Sequence, residues 1–455
     1  MFPSNPADEL AHDRMHLIHS LHSAADQEQA HIWQSGRGAV LVDQAGREYL
    51  DALAGLWNVI VGHGRGELAD AAAAQMRRLA FASSYSGSSN PPAIELGDRL
   101  AEICYPRVKH FFFTSGGAES NESAFKTARY YWKLAGHPGK HKIISRVWAY
   151  HGTTLAAMSA TGIGSYWPMF EPRVPGFLHI ESPYPYRFGP PPGTAADDPR
   201  TPGERAADLL EEAILREGPE TVAAFIGEPV QGAGGVIVPP DDYWPRIRAI
   251  CNRHRVLLIA DEVITAFGRT GDWFALTRYA VEPDIVSFAK GITSGYFPLG
   301  GIGVNDDIAA AIESAGEPQK WMHAFTYSGH PVGCAVALAN LDILEREGLL
   351  QRARELGDHL LAGLRTLESN PYVGDVRGLG FMAAVELVAD KATKAAFPPE
   401  AKVGPRVHAE TQRRGMFTRL RGDCYNFAPC YVATPAQLDR MVSILGESID
   451  AVLAR

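Results

Sequence analysis

Two residues of this 455-residue chain, an aspartate and a lysine, lie at the ends of apolar runs, where catalytic side chains are often found. Asp261 ends the apolar run VLLIAD, and Lys290 follows the run DIVSF in the segment FAKGIT. Few charges flank Lys290, and a lysine in apolar surroundings is a candidate for Schiff-base chemistry because burial lowers the pKa of its amine. Asp261 could act as a metal ligand, as a general base or as the partner of a protonated ring nitrogen.

Two further segments could complete a site for a phosphorylated aromatic cofactor. Ser115, Gly116 and Gly117 stand between the run VKHFFF and a helical pattern, and the free amides of a helix start can bind phosphate. Tyr150, in VWAYHGTT, offers a flat face for stacking. Each feature alone is more often structural. A phosphate cradle, an aromatic face, a carboxylate and a lysine together describe a pyridoxal phosphate (PLP) site.

Strands and helices that alternate along the chain would position these residues. Consecutive apolar or β-branched positions, typical of strands covered on both faces, occur in VKHFFF (108–113), HKIIS (141–145), TVAAFIG (221–227), VLLIA (256–260) and DIVSF (284–288). Helical patterns lie between them. We therefore expect an α/β domain with a large, mainly parallel sheet over 61–340, and ligands of such sheets bind at the carboxyl ends of the strands.

The remaining residues predict a smaller domain and an arm. A long helical stretch at 334–369 leads to a strand pair within 373–390, and apolar residues recur at helical spacing from 435 to the end. These patterns predict a small α+β domain over 341–455. Residues 1–60 are expected to form an N-terminal arm and part of the small domain. The proline-rich stretch 182–203 is expected to be an extended surface segment.

Composition and missing motifs argue against several classes of protein. The net charge is −9, which disfavours a nucleic-acid-binding protein. No apolar run approaches the ~18 residues of a membrane span, and the first residues do not resemble a secretory signal. Five cysteines without a CxxC pair favour a reduced, cytoplasmic setting. Four histidines within 12–22 lack accompanying ligands, so we expect no metal site there.

Longer segments resemble the class III, fold-type-I PLP-dependent aminotransferases, in the family's order and over nearly the whole chain. They are YLDALAGLWNVIVGHG, TSGGAESNESAFKTAR, WAYHGTT, GEPVQGAGG, DEVITAFGRTG, FAKGITSGYFPLGG, FTYSGHPVGCAVALANL and VRGLGFMAAVEL. Within the family, the chain most resembles the ω-aminotransferases, which commonly use pyruvate as amino acceptor. The resemblance implies a fold-type-I PLP transferase.

The resemblance also implies roles in cofactor binding. Lys290 would bind the cofactor aldehyde covalently, and Asp261 would keep the pyridine nitrogen protonated. Glu228 would lie near the ring. The other implied contacts are Val263 and Tyr150 on the two ring faces, Ser115, Gly116 and Gly117 at the phosphate, and Thr326 at the phosphate of the other subunit's cofactor.

The substrate pocket and the assembly follow from the same resemblance. Trp57, Tyr85 and Tyr150 would line the pocket, and Arg419 would be a mobile arginine that pairs with a substrate carboxylate. Because Thr326 would act across subunits, we expect a homodimer with shared sites, alone or within a tetramer. The chain departs from the family at Thr153, which could bring a hydroxyl near the pocket. A second departure is Arg421, which is expected to be a solvated rim arginine.

The expected function is transfer of an amino group from an amine or ω-amino acid to a keto acid, with pyruvate as the expected acceptor, by a ping-pong mechanism. The expected partners are small-molecule substrates and a second copy of the chain, with no nucleic acid and no membrane. One alternative is 2-oxoglutarate as acceptor, and another is a different class III reaction, an aminomutase or a decarboxylase. A PLP-binding regulator would need an added DNA-binding segment, and a dehydrogenase is disfavoured because no GxGxxG fingerprint is present.

Overall fold

The computed structural model describes residues 6–85, 87–189 and 198–453. Residues 190–197 of the predicted surface segment lie outside this range. Among the described residues, no helix has the length and apolar character needed to cross a membrane.

The helices and strands follow one another in an α/β order. The helices are α1 (Pro6–His16), α2 (Ala54–Trp57), α3 (Gly66–Arg78), α4 (Pro91–Ile103), α5 (Gly117–Leu134), α6 (Leu155–Ala160), α7 (Pro202–Glu217), α8 (Tyr243–His254), α9 (Asp306–Ser314), α10 (Pro331–Arg346), α11 (Leu349–Arg365), α12 (Val403–Arg413) and α13 (Pro435–Leu453). The strands are β1 (Trp33–Arg37), β2 (Val40–Asp43), β3 (Glu48–Asp51), β4 (Val108–Thr114), β5 (Lys142–Arg146), β6 (Phe177–Ile180), β7 (Val222–Gly227), β8 (Leu257–Asp261), β9 (Ile285–Phe288), β10 (Gly300–Asn305), β11 (Val373–Gly378), β12 (Ala383–Leu387), β13 (Met416–Phe417), β14 (Arg419–Arg421) and β15 (Cys424–Phe427).

The largest sheet has seven strands in the order β4-β10-β9-β8-β7-β5-β6. The five predicted strands are all present as β4, β5, β7, β8 and β9, and every residue of β7, β8 and β9 is buried. Continuous apolar runs therefore mark strands covered on both faces, as predicted. The expected α/β architecture with a large, mainly parallel sheet is confirmed.

Strand β10 was not predicted, and it is the antiparallel member of this sheet, pairing with β4 and β9. Its sequence, GGIGVN, is too rich in glycine to look like a strand. A Cβ atom at Gly301 would lie 2.6 Å from the ring of Phe288 and 2.8 Å from the carbonyl oxygen of Phe112. Glycine therefore lets β10 fit between two neighbouring strands.

Two smaller sheets occupy the ends of the chain. An antiparallel sheet has the order β11-β12-β15-β14, which includes the predicted strand pair. The other has the order β1-β2-β3-β13, and β13 joins β3 in parallel, so the N-terminal strands pair with a strand from the C-terminal part. Helix α10 runs through residue 340, where a domain boundary was predicted. The division at 60 and 340 remains a prediction.

The topology brings the candidate residues to one edge of the large sheet. Parallel strands end on the same side, and five of them end there with a candidate segment. These segments are Ser115–Gly117 after β4, Tyr150 after β5, Glu228 after β7, Asp261 at the end of β8 and Lys290 after β9.

Candidate active site

A cavity of about 210 Å³ lies at this edge of the large sheet. It is lined by Gly117, Ala118, Asn121, Tyr150, His151, Gly152, Thr153, Glu228, Asp261, Val263, Ile264 and Lys290. Another cavity of about 190 Å³, against β4 and β10, is lined mainly by apolar side chains such as Phe112 and Trp321. Only the first of these two combines a lysine with carboxylates, so it is the candidate active site.

Asp261 is held in place by donors from two other elements. One carboxylate oxygen, Oδ2, accepts from Nδ2 of Asn121 at 2.8 Å and from Nδ1 of His151 at 2.7 Å. Among the described residues, the second oxygen, Oδ1, accepts a hydrogen bond only from the amide of Val263, at 3.1 Å. The residue is 3% exposed. A carboxylate has about four acceptor positions, so Oδ1 can take a further donor from the cavity.

Asn121 and His151 form a bracket around Asp261. Nδ2 of Asn121 also donates to the carbonyl oxygen of His151, at 2.7 Å, and this bond ties helix α5 to the loop after β5. Among the described residues, neither Nε2 of His151 nor Oδ1 of Asn121 has a hydrogen-bond partner. With Nδ1 of His151 donating to Asp261, the imidazole is fixed in one orientation. The bracket therefore fixes the direction in which the Asp261 carboxylate points.

Lys290 enters the cavity from a strained backbone position. Its φ is 49°, in the left-handed region that residues other than glycine rarely adopt. None of the described residues forms a hydrogen bond with its Nζ. Burial lowers the pKa of Lys290, the Arg419 guanidinium lowers it further, and the negative charges of Asp261 and Glu228 oppose the shift. Lys290 is therefore suited to act as a nucleophile and as a base.

Glu228 ties the loop after β5 to the loop after β7. Its Oε1 accepts from the amide of Tyr150 at 3.0 Å, and its Oε2 accepts from the amide of Gly232 at 2.9 Å. Burial raises the pKa of Glu228 to about 7, with a further rise from the Asp261 charge, whereas His151 acts to lower it. Its proton can therefore be gained or lost near neutral pH.

The start of helix α5 forms the candidate phosphate site. Gly116 precedes the helix and provides no side-chain cap. Among the described residues, none accepts a hydrogen bond from the amides of Gly117 and Ala118. The amide of Ser115, in contrast, already donates to the Glu119 carboxylate at 2.8 Å. A Cβ atom at Gly117 would lie 2.8 Å from Cγ1 of Val263, so glycine keeps this helix start open beside the cavity.

Tyr150 and Val263 both line the cavity, as the two expected contacts for an aromatic ring. The ring of Tyr150 lies 5.7 Å from that of Tyr166, centroid to centroid. Burial raises the pKa of the Tyr150 hydroxyl, and it stays a neutral hydrogen-bonding group. Thr153 also lines the cavity, so its hydroxyl lies where the sequence suggested.

The expected substrate and interface residues occupy different surroundings. Trp57 is 1% exposed and packs in an apolar cluster with Val230 and Ile264, of which Ile264 lines the cavity. Tyr85 is 52% exposed on the chain surface, and Thr326 lies in an exposed turn before α10. Arg419 begins strand β14 and is half-buried, close enough to lower the pKa of Lys290. A single chain therefore brings Arg419 towards the cavity and leaves Tyr85 and Thr326 outside it.

Arg421 is not the solvated rim residue that the sequence suggested. Its guanidinium carbon lies 3.6 Å from the centre of the Trp148 ring, and its Nη1 donates to the carbonyl oxygen of Gly234 at 2.8 Å. A lone arginine in a loop-like segment gives no sign of this partner, which lies 273 positions away in sequence.

Sequence reasoning missed Asn121 and His151, although a signal existed for each. His151 directly follows Tyr150 in the segment WAYHGTT. Asn121 lies four residues after Gly117 and therefore on the same face of α5. A buried carboxylate needs donors, and Asn121 and His151 lie in segments already assigned to the site.

The donor set fits PLP. Oδ1 of Asp261 has room for a protonated ring nitrogen, and the amides of Gly117 and Ala118, which have no acceptor among the described residues, can bind a phosphate. Gly117 keeps the space beside Val263 clear, and the Lys290 amine faces the same cavity. These residues would hold the cofactor through its nitrogen, its phosphate and its aldehyde.

Comparisons with known proteins agree with this arrangement. Residues 22–449 match the family Aminotransferase class-III. The chain is 41% identical to a putrescine–pyruvate aminotransferase of Pseudomonas aeruginosa, over 93% of this chain and 91% of that one. It is 39% identical to a diaminobutyrate–2-oxoglutarate transaminase of Halomonas elongata, over 97% and 94%. It superimposes with a TM-score of 0.94 on a thermostable (S)-enantioselective omega-transaminase from Thermomicrobium roseum, at 51% identity over 99% and 100% of the chains.

The raised pKa of Glu228 predicts a specific pH dependence of stability. An unfolded glutamate titrates near pH 4.5, and Glu228 in the folded chain titrates near pH 7. Between these values the folded chain holds a proton that the unfolded chain has lost, so stability falls as pH rises, by at most about 1.4 kcal/mol per pH unit. The melting temperature of the wild type, without added ligands, should therefore fall relative to that of Glu228→Gln between pH 5 and pH 7.5.

The control for this measurement is Glu217→Gln. Glu217 pairs with Lys142, and this lowers its pKa instead of raising it. No fall relative to that variant is expected over the same range. Melting curves for wild type and Glu228→Gln that run parallel across the range would contradict the raised pKa.

Proposed function

This chain belongs to the class III aminotransferase family, and we propose that it moves an amino group from an amine or ω-amino acid to pyruvate by a ping-pong mechanism. It is a PLP-dependent enzyme, as are the members of its family. The observation that carries the proposal is the cavity in which the Lys290 amine and the fixed Asp261 carboxylate meet, beside an open helix start.

Pyruvate is supported as acceptor by one relative and by the charges near the cavity. The relative from P. aeruginosa is named for putrescine and pyruvate, whereas the one from H. elongata is named for 2-oxoglutarate. Arg419, whose charge lowers the pKa of Lys290, would be the cation that meets a carboxylate. Arg421, the next candidate for a second carboxylate, is engaged by Trp148 and Gly234. Of these two arginines, only Arg419 is left to pair with a carboxylate, which favours a keto acid with a single carboxylate.

Bound PLP supplies an aldehyde that takes up amino groups and an electron-poor ring that stabilises negative charge on the neighbouring carbon. Lys290 would hold the cofactor in the resting enzyme and, once displaced by the amine, would carry the proton. Its Nζ would remove the proton from the substrate carbon that bears the amino nitrogen. It would then deliver this proton to a carbon of the cofactor. A lowered pKa suits this work because the neutral amine must be available near neutral pH.

Asp261 would keep the ring nitrogen protonated through its Oδ1, while Asn121 and His151 hold Oδ2. Glu228 lies close enough to Lys290 for its charge to raise the pKa of that amine, and its own pKa is about 7. The charge on Glu228 can therefore adjust to that of Lys290 during turnover. Tyr150 and Val263 would keep water from the two ring faces.

Arg419 would allow one site to bind both a keto acid, which has a carboxylate, and an amine that lacks one. The donor amine can lack a carboxylate, whereas the keto acid has one, and leaving a buried arginine unpaired is costly. Arg419 has no hydrogen bond to any other described residue, and it lies on a short strand near the cavity. It can therefore pair with the keto acid and turn away when an apolar amine binds.

A panel of donors tests the proposed reaction. Purified enzyme with PLP and pyruvate should form alanine from diamines, β-alanine, taurine or aryl-alkyl amines, as measured by chromatography of the amino acid formed. The same panel with 2-oxoglutarate should yield little glutamate. Lys290→Ala is the control, and it should form neither product although PLP can still bind.

Two results of the panel and one result of cofactor labelling would contradict the proposal. Carbon dioxide release, or an isomer formed without keto acid, would indicate a decarboxylase or an aminomutase. Glutamate formed faster than alanine would make 2-oxoglutarate the acceptor. Covalent labelling of a lysine other than Lys290 after borohydride reduction would overturn the assignment of the site.

Arg419→Ala should impair the two half-reactions unequally. The loss of a charged, hydrogen-bonded pair costs about 1.5–3 kcal/mol, or roughly ten- to a hundredfold in catalytic efficiency. This loss should fall on the half-reaction with pyruvate and spare the half-reaction with an amine that lacks a carboxylate. Single-turnover absorbance of the cofactor follows each half-reaction separately. Equal losses in both would show that Arg419 has a structural role.

We propose further that the enzyme is a cytoplasmic homodimer with shared sites. Thr326 and Tyr85 lie on the exposed surface of one chain, outside its own cavity. Large apolar side chains are exposed in the same regions, including Phe81 and Tyr327, whose rings lie 6.0 Å apart. A second copy that covers this surface would bury the apolar side chains and bring Thr326 to the partner's phosphate. The five cysteines are unpaired, which suits a reduced compartment.

Mixing two impaired variants tests whether the sites are shared. Lys290→Ala dimers lack the amine, and Thr326→Ala dimers should bind PLP weakly. After subunit exchange, each hybrid should regain one intact site, made of Lys290 from one subunit and Thr326 from the other. Activity at low PLP concentration should therefore rise on mixing. No recovery, or an active PLP-loaded monomer in sedimentation, would contradict shared sites.

A further inference from the structure

Arg421 contacts two loops of the active site, although it lies outside the catalytic cavity. Its Nη1 donates to the carbonyl oxygen of Gly234 at 2.8 Å, and its guanidinium carbon lies 3.6 Å from the centre of the Trp148 ring. Among the described residues, no carboxylate pairs with Arg421. A flat guanidinium on an aromatic face, bonded at one edge to a carbonyl, is a directional contact that a flexible ammonium cannot reproduce.

The two loops that Arg421 contacts are themselves tightly joined. A Cβ atom at Gly234 would lie 2.4 Å from the carbonyl oxygen of Trp148, so only glycine allows this approach. Trp148 has a φ of 64°, and its amide donates to the carbonyl oxygen of Gly162 at 3.0 Å. A strained residue of this kind persists only where its surroundings hold it. Arg421 covers the ring of this residue.

These same loops carry residues of the catalytic cavity. Tyr150 lies two residues after Trp148, and Glu228 lies in the loop that leads to Gly234. The hydrogen bond from the Tyr150 amide to Glu228 joins the loops on the cavity side. Arg421 therefore attaches strand β14 to these two joined loops, which form part of the cavity wall. We call the joined loops the platform.

Strand geometry connects Arg421 with Arg419. Alternate residues of a strand lie on the same face, so Arg419 and Arg421 share one face of β14 and Leu420 lies on the other. Leu420 packs against the main apolar core. The strand is held at Leu420 by packing and at Arg421 by the platform, and these two contacts determine where the side chain of Arg419 starts.

A neighbouring arginine strengthens the same attachment. Nε and Nη2 of Arg377, on β11, donate to the carbonyl oxygen of Gly235 at 2.8 and 2.6 Å. Arg377 also pairs with Asp375 and Glu386. Arg421 differs from it, since among the described residues its guanidinium stacks on Trp148 and hydrogen-bonds to Gly234 but pairs with no carboxylate. Arg421 can therefore be changed without leaving a buried carboxylate unpaired.

We propose that Arg421 is a positioning residue for the keto acid, which fixes β14 against Trp148 and Gly234 so that Arg419 can reach the substrate carboxylate. The inference rests on the proposed function, specifically on the role of Arg419. Arg421 does not itself bind substrate. It lines a separate cavity of about 560 Å³, with Tyr184 and Glu386, and does not line the catalytic cavity.

The test compares the two half-reactions of holoenzyme variants by single-turnover absorbance. Arg421→Met retains much of the side-chain volume and removes the guanidinium. It should lower the efficiency of the half-reaction with pyruvate about tenfold, mainly through weaker binding, because small errors in position are costly. The half-reaction with an amine that lacks a carboxylate should change less than about twofold. Arg421→Lys should resemble Arg421→Met, since an ammonium lacks the planar fork.

Two further variants separate positioning from a general structural role. In an Arg419→Ala background, Arg421→Met should have no additional effect on the pyruvate half-reaction, because Arg421 acts only through Arg419. Trp148→Phe retains an aromatic face and should reduce that half-reaction less than Arg421→Met does. It also provides a milder perturbation of the same contact if Arg421→Met folds poorly.

Three outcomes would overturn the inference. Equal losses in both half-reactions would make Arg421 a structural residue. Additive losses in the double variant would make its role independent of Arg419. A loss seen with 2-oxoglutarate alone would make Arg421 a direct carboxylate ligand. If the wild type rejects pyruvate, only the proposed acceptor is overturned. The two half-reactions can then be compared with the keto acid that the enzyme does accept, and this comparison still decides the role of Arg421.

Discussion

The buried carboxylate of Asp261 is the constraint on which the rest of the site depends. Asp261 is 3% exposed, and a buried charge needs hydrogen-bond donors. Strand β8 itself cannot provide enough of them. Asn121 comes from α5, and His151 comes from the loop after β5. Both elements must therefore meet at the edge of the sheet where β8 ends. The same meeting brings the open start of α5 and the aromatic face of Tyr150 into the cavity.

Charge balance extends this constraint to the other ionisable residues. Lys290 loses solvation in the cavity, and Asp261 and Glu228 partly compensate for this loss. Arg419 adds a positive charge near the same amine, which favours its neutral form. A site arranged in this way favours the neutral amine more than water does and still accommodates a carboxylate on the substrate. These two requirements are those of an enzyme that alternates between an amine and a keto acid.

Much of the large sheet and of the candidate site could be predicted from the sequence, because both depend on local sequence patterns. Continuous apolar runs marked β7, β8 and β9, and Asp261 and Lys290 followed such runs directly. What could not be predicted depended on contacts between distant segments. Strand β10 is defined by space between Phe112 and Phe288, not by its own propensity. The sequence predicts a solvated Arg421, whereas in the fold its guanidinium lies over the ring of Trp148.

The most direct test of the account is the amine half-reaction of Asp261→Asn, with His151→Gln as the control that retains the carboxylate. An amide cannot keep the ring nitrogen protonated, so the electron sink weakens while the fold and PLP binding persist. We expect Asp261→Asn to lose at least about a hundredfold in single-turnover rate, and His151→Gln to lose much less. Near-native turnover by Asp261→Asn with PLP bound would contradict the account.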